Sequence, residues 1–443
     1  MPTFRTIVKK MIPTKLFRII EPFGHLLESI LMNIIYGFPG RRVRVIGVTG
    51  TNGKTTTSFM IHRMLHEAGI KVALLTTVAN GIGDDLKIQK IHMTTTKASV
   101  LQRRLREFAR AGVEWVVVET SSHSLAQYRV WGIPYEIGVM TNITEDHLDY
   151  HLTFDRYVEA KRRLFRIVNR HGLRFGVANA DDKNGKRFAD TVENSTTYGI
   201  KKGELRAQDI RLSSDHSTYT AKIGSDSYHM TVNIPGEFNV YNSLAAAAVG
   251  RKLCLDADEI SKGIAALDAV EGRMNVIDEG QPFKVIIDFA STPDAFENFF
   301  SSVRPLTKGK LIAVFGSAGQ RDKKKRPVQG GIAAKNADIV ILTEEDDRDV
   351  DGTSILNEIA AGATKAGKKV GKNLHLILNR EEAIGFAMTQ ATSPDDVVVL
   401  LGKGHERTIE RANGENPWNE AEVARAALQA LRAQKTSSSK KTK

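Results

Sequence analysis

Apolar positions along the chain follow two patterns, short β-branched runs and longer helical repeats. Residues 43–48 form a run rich in valine and isoleucine, followed by a loop of glycine and threonine and by a helical pattern over residues 58–68. Residues 72–76 and 115–118 are further apolar runs, with a helical pattern over residues 100–111 between them. Because strands alternate with helices, the first half predicts a parallel α/β sheet.

The second half of the chain repeats this alternation after a less regular section. Residues 218–233 are strand-like, and residues 241–253 form an alanine-rich helical pattern. Four short apolar runs then each precede a polar or glycine-containing loop, and they predict strands over residues 284–288, 310–315, 339–342 and 397–401. We therefore expect a second α/β unit that begins near residue 270.

The apolar stretch over residues 23–38 predicts a helix at the surface. It is too short to span a bilayer and is interrupted by His25, Glu28 and Asn33. No signal-peptide cleavage pattern follows it. We expect an amphipathic helix docked on the next domain, and contact of residues 1–40 with a membrane surface is the alternative.

Composition and charge narrow the class of protein. The single cysteine, Cys254, excludes a disulfide framework and a multi-cysteine zinc site, and it fits a cytoplasmic protein. The net charge of +12 fits nucleic acid, a membrane surface or anionic small substrates. Since no basic motif is interleaved with aromatic residues, we expect no nucleic-acid partner. The tail from residue 433 is rich in lysine and serine and is predicted to be disordered.

A phosphate-binding loop follows the first predicted strand. It reads Gly50, Thr51, Asn52, Gly53, Lys54, Thr55 and Thr56. Backbone N–H groups between a strand and a helix hold polyphosphate, Lys54 would neutralise its charge, and the Thr55 hydroxyl would bind magnesium. Such a loop serves many ATPases and GTPases, so the type of reaction depends on other residues.

Two further polar clusters follow apolar strands. Glu119 ends one strand, and His147 lies in the segment after the strand over residues 137–140. Open α/β sheets bind their ligands at the carboxyl ends of strands, so a carboxylate and an imidazole placed there can converge on a metal beside the phosphates.

At this point the ordered motifs resemble the Mur ligase family over residues 43–406. The resemblance is carried by residues 50–56, 119–129, 141–151, 157–165, 236–242, 272–274, 288–294, 321–327 and 402–406. It implies an α/β fold with a central P-loop ATPase domain, which has a parallel sheet, and a C-terminal Rossmann-like domain. We expect a helical segment over residues 1–40, the central domain over 41–270, the C-terminal domain over 271–432 and a tail over 433–443.

The resemblance also implies roles for individual residues. Catalysis is expected from Lys54, Lys161, His147, Glu119 and Arg273. Thr55, Glu119, His147 and a carbamylated Lys161 are expected to surround two Mg²⁺ ions. ATP is expected to contact the loop together with Asn142, Asn242, Arg273 and Asp288. The substrate that carries the carboxylate is expected to bind Thr95, Thr96, Ser121, Gln127 and Arg129. The incoming amino acid is expected to bind Arg321, Asp346, Arg348, Gly402 and Glu406.

The activity implied by the resemblance is an ATP-dependent ligation in peptidoglycan precursor synthesis. The enzyme would convert the carboxylate of UDP-N-acetylmuramoyl-L-alanyl-D-glutamate, a UDP-N-acetylmuramoyl dipeptide, to an acyl phosphate. It would then couple a diamino acid, meso-diaminopimelate or L-lysine, and act as a monomer. The family's Asp-Asn-Pro-Arg loop is replaced here by residues 345–348, Glu-Asp-Asp-Arg, and the retained Arg348 favours diaminopimelate. About forty residues precede the first strand, so we expect the usual uridine-binding domain to be missing.

Two alternatives stay open. The first is a related ligase for another carboxylate, as in lipid-linked peptidoglycan amidation, folylpolyglutamate synthesis or cyanophycin synthesis. The second is a nucleotide-binding scaffold without catalysis, for which loss of Lys54, Glu119, His147 or Lys161 would be the sign, and none is lost. ATPase activity that depends on an added amino acid separates ligase from scaffold.

Overall fold

The computed structural model describes residues 14–89, 93–213 and 215–441, with side chains from residue 20 to residue 433 within these ranges. An eleven-stranded sheet forms the first unit, in the order β11-β10-β9-β8-β7-β6-β1-β5-β2-β3-β4. The seven central strands, in the order β9-β8-β7-β6-β1-β5-β2, are parallel. Antiparallel strands extend the sheet at both edges, β10 and β11 beside β9, and β3 and β4 beside β2. The strands are β1 Arg44–Thr49, β2 Val72–Leu75, β3 Ala79–Ile82, β4 Asp85–Ile88, β5 Trp115–Glu119, β6 Tyr135–Met140, β7 Phe175–Asn179, β8 Asn194–Gly199, β9 Leu205–Leu212, β10 Ser217–Ile223 and β11 Asp226–Val232.

Helices cover both faces of this sheet. The alanine-rich α8 packs closely on α2, because its small side chains let the two backbones approach. A Cβ atom added at Gly263, in α9, would lie 2.6 Å from Met64 Cα, so glycine is required at this contact. The helices are α1 Thr14–Tyr36, α2 Lys54–Glu67, α3 Ala98–Arg110, α4 Ser122–Ala126, α5 Leu148–His151, α6 Phe154–Val168, α7 Gly185–Ala189, α8 Glu237–Lys252 and α9 Ala257–Ala265, with a 3-10 turn at Pro39–Arg42.

A six-stranded sheet forms the second unit, in the order β12-β13-β17-β14-β15-β16. Its central strands are parallel, and the two innermost, β17 and β14, are wholly buried, as expected for a sheet with helices on both faces. The elements are β12 Asn275–Ile277, β13 Lys284–Asp288, α10 Pro293–Val303, a 3-10 turn Arg304–Leu306, β14 Leu311–Phe315, α11 Lys325–Asn336, β15 Ile339–Leu342, α12 Gly352–Lys365, β16 Leu374–Leu376, α13 Arg380–Gln390, β17 Val397–Leu401, the hairpin β18 Thr408–Arg411 and β19 Gly414–Pro417, and α14 Glu420–Lys441.

The predicted α/β class is confirmed, and three predicted strands, β13, β15 and β17, have the predicted bounds. The prediction was wrong at the end of the chain, because α14 runs through Lys441 where a disordered tail was expected from residue 433. The alanine-rich sequence at the start of α14 packs on the second sheet, and a helix anchored in this way extends at little cost per residue.

The N-terminal helix α1 docks on the first unit as predicted, but through its polar face. Ser29 Oγ donates to the carbonyl oxygen of Tyr128 at 2.9 Å, and Asn33 Nδ2 donates to that of Trp131 at 2.9 Å. Within the described ranges, no helix is long and apolar enough to cross a membrane.

Burial of His62 in α2 makes the fold sensitive to acid. Its side chain is 2% exposed, and burial, with His66 and Arg63 adding to it, lowers the pKa of His62 to about 4 from 6.5. Between pH 6.5 and pH 4 His62 therefore binds a proton in the unfolded chain more readily than in the folded chain. The free energy of unfolding falls as the pH decreases through this range. At pH 5 the free energy of unfolding is expected to fall by about 2 kcal/mol through this group.

Urea unfolding of wild type and His62→Gln at pH 7 and pH 5 checks this prediction. The variant is expected to lose less stability between the two pH values than wild type does. The exposed His229, replaced in the same way, is the control and should leave the wild-type loss unchanged. Equal losses in wild type and His62→Gln would contradict the assignment.

Candidate active site

The loop between β1 and α2 contains two glycines, and a larger residue at either position would displace a neighbouring side chain. A Cβ atom at Gly50 would lie 1.8 Å from Thr141 Oγ1, and one at Gly53 would lie 2.3 Å from Asn242 Oδ1. Gly53 has a φ of 79°, in the left-handed region that favours glycine, and α2 begins at the next residue. The loop therefore presents the N-terminus of a 14-residue helix, where backbone N–H groups favour an anion.

Glu119, at the end of β5, lies directly beside this helix start. Its Oε2 accepts hydrogen bonds from Thr55 Oγ1 at 3.1 Å and from the N–H and hydroxyl of Thr77 at 3.0 Å each. Lys54 Nζ donates to Thr51 O at 2.8 Å. Burial lowers the pKa of Lys54, whereas Glu119 and Asp146 act in the opposite direction. A hydroxyl, a carboxylate and an ammonium group thus meet at the first turn of α2.

Lys161, in α6, reaches the same loop from the other side. Its side chain is 2% exposed, and its Nζ donates to Gly50 O at 2.6 Å and lies 4.6 Å from the centre of the Tyr157 ring. Burial lowers the pKa of Lys161 well below 10.5, and the neighbouring Lys54 lowers it further. A lysine in this position loses its proton more readily than an exposed one.

His147 stands beside these two lysines. Partial burial of the side chain, which is 39% exposed, followed by the charges of Lys161 and Lys54, lowers the pKa of His147 to about 3 from 6.5. The neutral ring, which is the form that binds a metal, is therefore favoured at pH 7. Its Nε2 lies 3.3 Å from Asp146 Oδ2, and its ring centre lies 4.6 Å from that of His123. His147 has a φ of 54°, in the left-handed region. Backbone strain of this kind in a non-glycine residue is typical of functional sites.

Two side chains of the second unit contact the loop directly. Arg273 Nη2 donates to Thr55 Oγ1 at 3.3 Å, and the guanidinium stacks 4.6 Å from the centre of the Phe289 ring. Asp294 Oδ2 accepts from Asn52 Nδ2 at 2.6 Å. The two sheets therefore face each other across a cleft, with the phosphate loop on one wall and Arg273 on the other.

The other residues predicted to contact the nucleotide lie on both walls of the cleft, Asn142 and Asn242 in the first unit and Asp288 in the second. Asn142 Oδ1 accepts from Asn52 N at 2.9 Å, and Asn242 Oδ1 accepts from Thr57 Oγ1 at 3.1 Å. Asp288, at the end of β13, accepts the N–H groups of Met274 and Ala290 at 2.8 Å each. Thr51 and Thr56 are buried in the loop segment.

Four of the five residues predicted to hold the acceptor substrate lie together. Thr95 Oγ1 donates to Glu119 O at 2.9 Å and accepts from Ser121 N at 3.0 Å, while Arg129 Nη1 donates to the carbonyl oxygens of Thr95 and Thr96. The fifth, Gln127, is buried in the turn after α4. The guanidinium of Arg129 is thus used to hold backbone beside Glu119.

The residues predicted to receive the amino acid lie in the second unit. Lys403 Nζ lies 2.8 Å from Asp346 Oδ1 and 2.6 Å from Glu406 Oε2. Arg348 Nε donates to Glu410 Oε2 at 2.7 Å. A Cβ atom at Gly402 would lie 2.7 Å from Glu345 Oε2, so this loop is closely fitted. Arg321 stands apart from this group, with its Nη1 3.9 Å from Asp149 Oδ2 across the cleft.

The donor set fits a magnesium-bound triphosphate. Thr55 and Glu119 supply the hard oxygen atoms that Mg²⁺ prefers, and Lys54 and Arg273 supply positive charge for phosphate. Arg273 Nε is buried and finds no hydrogen-bond partner in the part of the chain that the structure describes, as expected of a donor directed at a ligand. Within the same ranges, no cluster of three or more His, Cys, Asp or Glu side chains is arranged to hold a metal.

Three residues of this site were not assigned a role from sequence. Thr77 makes two hydrogen bonds to Glu119, Asp146 lies beside His147, and Asp294 contacts the loop from the second unit. Thr77 follows the carboxyl end of β2, which is the positional signal that identified Glu119. The other two lie in segments that carried the family resemblance, but local sequence does not show their partners.

The fold and the site define a two-lobed ATP-dependent ligase, and comparison with known proteins agrees. A family model described as Mur ligase middle domain matches residues 48–250, and one described as Mur ligase, glutamate ligase domain, matches residues 272–404. The chain therefore belongs to the Mur ligase family, whose members are ATP- and magnesium-dependent, ADP-forming acid–amino-acid ligases.

Similar proteins extend over most of the chain. UDP-N-acetylmuramyl-tripeptide synthetase of Roseiflexus sp. (strain RS-1) is 40% identical over 427 residues, which cover 93% of this chain and 83% of that protein. UDP-N-acetylmuramoyl-L-alanyl-D-glutamate–2,6-diaminopimelate ligase of Clostridium tetani (strain Massachusetts / E88) is 40% identical over 380 residues, which cover 84% and 74%.

Solved structures agree with these relatives. A UDP-N-acetylmuramoyl-L-alanyl-D-glutamate–2,6-diaminopimelate ligase matches with 32% identity and a TM-score of 0.61, over 88% of this chain and 79% of that one. Folylpolyglutamate synthase of Mycobacterium tuberculosis matches with a TM-score of 0.70 but 16% identity, over 93% and 98%, so it shares the fold alone.

Proposed function

We propose that this protein adds a diamino acid to UDP-N-acetylmuramoyl-L-alanyl-D-glutamate, using ATP and forming ADP. The observation that carries the proposal is the contact of Arg273 with Thr55 across the cleft, because it brings a guanidinium from the second lobe to the phosphate loop. The names of the relatives that cover most of the chain supply the substrates. Domain limits at residues 41–270 and 271–432 and a cytoplasmic, monomeric enzyme belong to the same proposal.

The first chemical step forms an acyl phosphate. A carboxylate oxygen of the dipeptide attacks the γ-phosphorus of ATP, an O–P bond forms, the bond to the bridging oxygen breaks, and ADP leaves. Two anions must approach each other in this step, and Lys54, Arg273 and the loop N–H groups offset their repulsion. Magnesium held by Thr55, Glu119 and His147 would neutralise further phosphate charge.

The second step forms the amide. The amine attacks the acyl carbon, and a tetrahedral intermediate collapses with loss of phosphate and a proton. Asp346, Lys403 and Glu406 form a charged group at the far wall of the cleft, where the amino acid is expected to enter. Arg348 lies beside them and supplies a guanidinium suited to a second carboxylate.

Lys161 is proposed to act as a carbamate. Its lowered pKa favours the neutral amine, which attacks CO₂, forms an N–C bond and releases a proton. The carbamate places a negative charge beside Lys54, where a protonated Lys161 would be repelled by a like charge. The carbamate would supply a ligand for a second Mg²⁺ ion.

Product formation tests the proposal. The purified protein is incubated with ATP, Mg²⁺ and UDP-N-acetylmuramoyl-L-alanyl-D-glutamate, with meso-diaminopimelate and L-lysine offered separately. A tripeptide product by mass spectrometry is expected with diaminopimelate. No product with either amine would reject the substrate, while ADP release that follows a different carboxylate would leave the ligase class in place.

The choice of amino acid is expected to depend on Arg348. Replacing it with alanine should raise the KM for diaminopimelate about tenfold to a hundredfold, because a charge-assisted hydrogen bond to the second carboxylate is lost. The KM for lysine, which has no second carboxylate, should change little. Steady-state kinetics with both amines measure this, and Arg411→Ala, a neighbouring arginine paired with Glu344, is the control. Equal changes for both amines would reject a role in selection.

A further inference from the structure

The N-terminal helix α1 presents an apolar face to solvent. Six large side chains on that face, which are 46–68% exposed, recur at spacings of one, three or four residues and so share one side of the helix. They are Ile20, Phe23, Leu27, Leu31, Ile34 and Ile35. No Lys, Arg, Asp or Glu interrupts this set on its side of the helix, since Glu21 and Glu28 flank it beside His25. The apolar face is therefore continuous.

The opposite, polar face fixes how α1 is oriented. Ser29 and Asn33 are fully buried and hydrogen-bond the backbone of residues 128 and 131. A Cβ atom at Gly132 would lie 2.7 Å from Asn33 Cγ, so the fit between helix and domain is close. Rotating α1 to bury its apolar face would break these buried hydrogen bonds. The outward direction of the apolar face is thus set by the docking itself.

Basic residues precede and follow this apolar face in the sequence, and others lie on the helix packed against it. The first 18 residues of the sequence contain five basic residues, Arg5, Lys9, Lys10, Lys15 and Arg18, and no acidic one. Arg41 and Arg42 follow the helix and are exposed. Helix α3, which packs against α1, carries four arginines and one glutamate, and its Arg106 lies 5.9 Å from the centre of the Tyr36 ring. An apolar helix face with basic flanks is typical of helices that lie in the interface of an anionic bilayer.

The size of the face argues against a second copy of the chain as its occupant. Residues 20–35 rise about 24 Å along a helix about 10 Å wide, so the face covers roughly 250 Å². Stable dimers bury about 800 Å² per partner. A lipid surface requires no matching protein surface, and it accounts for the basic flanks as well.

We propose that α1 binds the protein to the surface of an anionic lipid bilayer, with its apolar face in the headgroup and acyl boundary and the catalytic lobes outside. The apolar contact and the basic flanks act together, so binding requires both an acidic headgroup and exposed aliphatic side chains. The helix lies on the surface and does not cross it.

Vesicle flotation of the full-length protein tests this proposal. Wild type is expected to float with vesicles of phosphatidylglycerol and phosphatidylcholine, to float poorly with phosphatidylcholine alone, and to be released by high salt. The double variant L27E/L31E should reduce the floated fraction at least about tenfold, because two charges enter the apolar face. Val276→Glu combined with Val370→Glu, two exposed valines of the second unit, is the matched control and should float as wild type does.

Three outcomes would overturn the proposal. The first is equal flotation of wild type and L27E/L31E. The second is equal binding of wild type to neutral and acidic vesicles. The third is a wild-type dimer in light scattering that L27E/L31E dissociates, which would make a second copy the occupant. Ligase turnover of L27E/L31E in solution should equal that of wild type, which shows that the variant is folded.

Discussion

Replacing Lys161 with alanine is expected to lower kcat for ADP release by about three orders of magnitude, the scale on which loss of a group that organises phosphoryl transfer acts. The side chain is buried against Gly50 O at 2.6 Å and beside Lys54, where it lies within the phosphate site. The free energy of unfolding should not fall to the same extent, because removing the side chain also removes the cost of burying a charged group. Steady-state ADP release and thermal unfolding of the same variant measure the two effects.

Carbamylation of Lys161 can be measured directly, and a lysine with a purely structural role would give no carbamate signal. With ¹³C-labelled bicarbonate, wild type is expected to give a carbamate carbon signal that Lys161→Ala lacks. Lys186→Ala, at an exposed lysine in α7, is the control and should retain both signal and turnover. Full turnover of Lys161→Ala would reject the catalytic role, and a normal rate in wild type without the signal would reject the carbamate.

Replacing Arg273 with alanine is expected to lower kcat by about 10³-fold, with a smaller change in the KM for ATP. Arg273 donates to Thr55 at 3.3 Å from the opposite lobe, and its Nε is a buried donor for which the described part of the chain supplies no acceptor. Such a donor is best placed to bind charge that develops on the transferring phosphoryl group, so its loss acts on the transition state more than on ATP binding.

Arg273→Lys separates charge from shape, since an ammonium group keeps the charge but cannot form the fork of a guanidinium. We expect it to recover only a small part of kcat. Arg407→Ala, which breaks a nearby pair with Glu271, is the control and should leave kcat close to that of wild type. A higher KM for ATP with unchanged kcat would show that Arg273 only binds nucleotide.

The elements of the fold that could be predicted from sequence are those with strong local signals. Strands β13, β15 and β17 are uniformly apolar runs between polar loops, and their bounds were predicted. Strand β8, with the sequence Asn-Ser-Thr-Thr-Tyr-Gly, and the short β3 and β4 carry no such run. They form because neighbouring strands supply partners for their backbone, which local sequence does not show.

The same distinction holds for the site. The phosphate loop was predicted because glycine, lysine and threonine occur together over seven residues. The orientation of α1 was not predicted, because amphipathicity suggests that the apolar face is buried. The partners that hold its polar face, the carbonyl oxygens of Tyr128 and Trp131, lie about a hundred residues further along the chain. Contacts of this kind are set by tertiary structure.

Oxygen transfer tests the proposed chemistry most directly. The side-chain carboxylate of the D-glutamate residue in the dipeptide is labelled with ¹⁸O, and the released inorganic phosphate is analysed by mass after turnover with ATP and diaminopimelate. An acyl phosphate predicts that one labelled oxygen leaves with each phosphate, because the O–P bond formed in the first step stays intact while the acyl carbon is attacked. Tripeptide formation with unlabelled phosphate would contradict the mechanism proposed for this site.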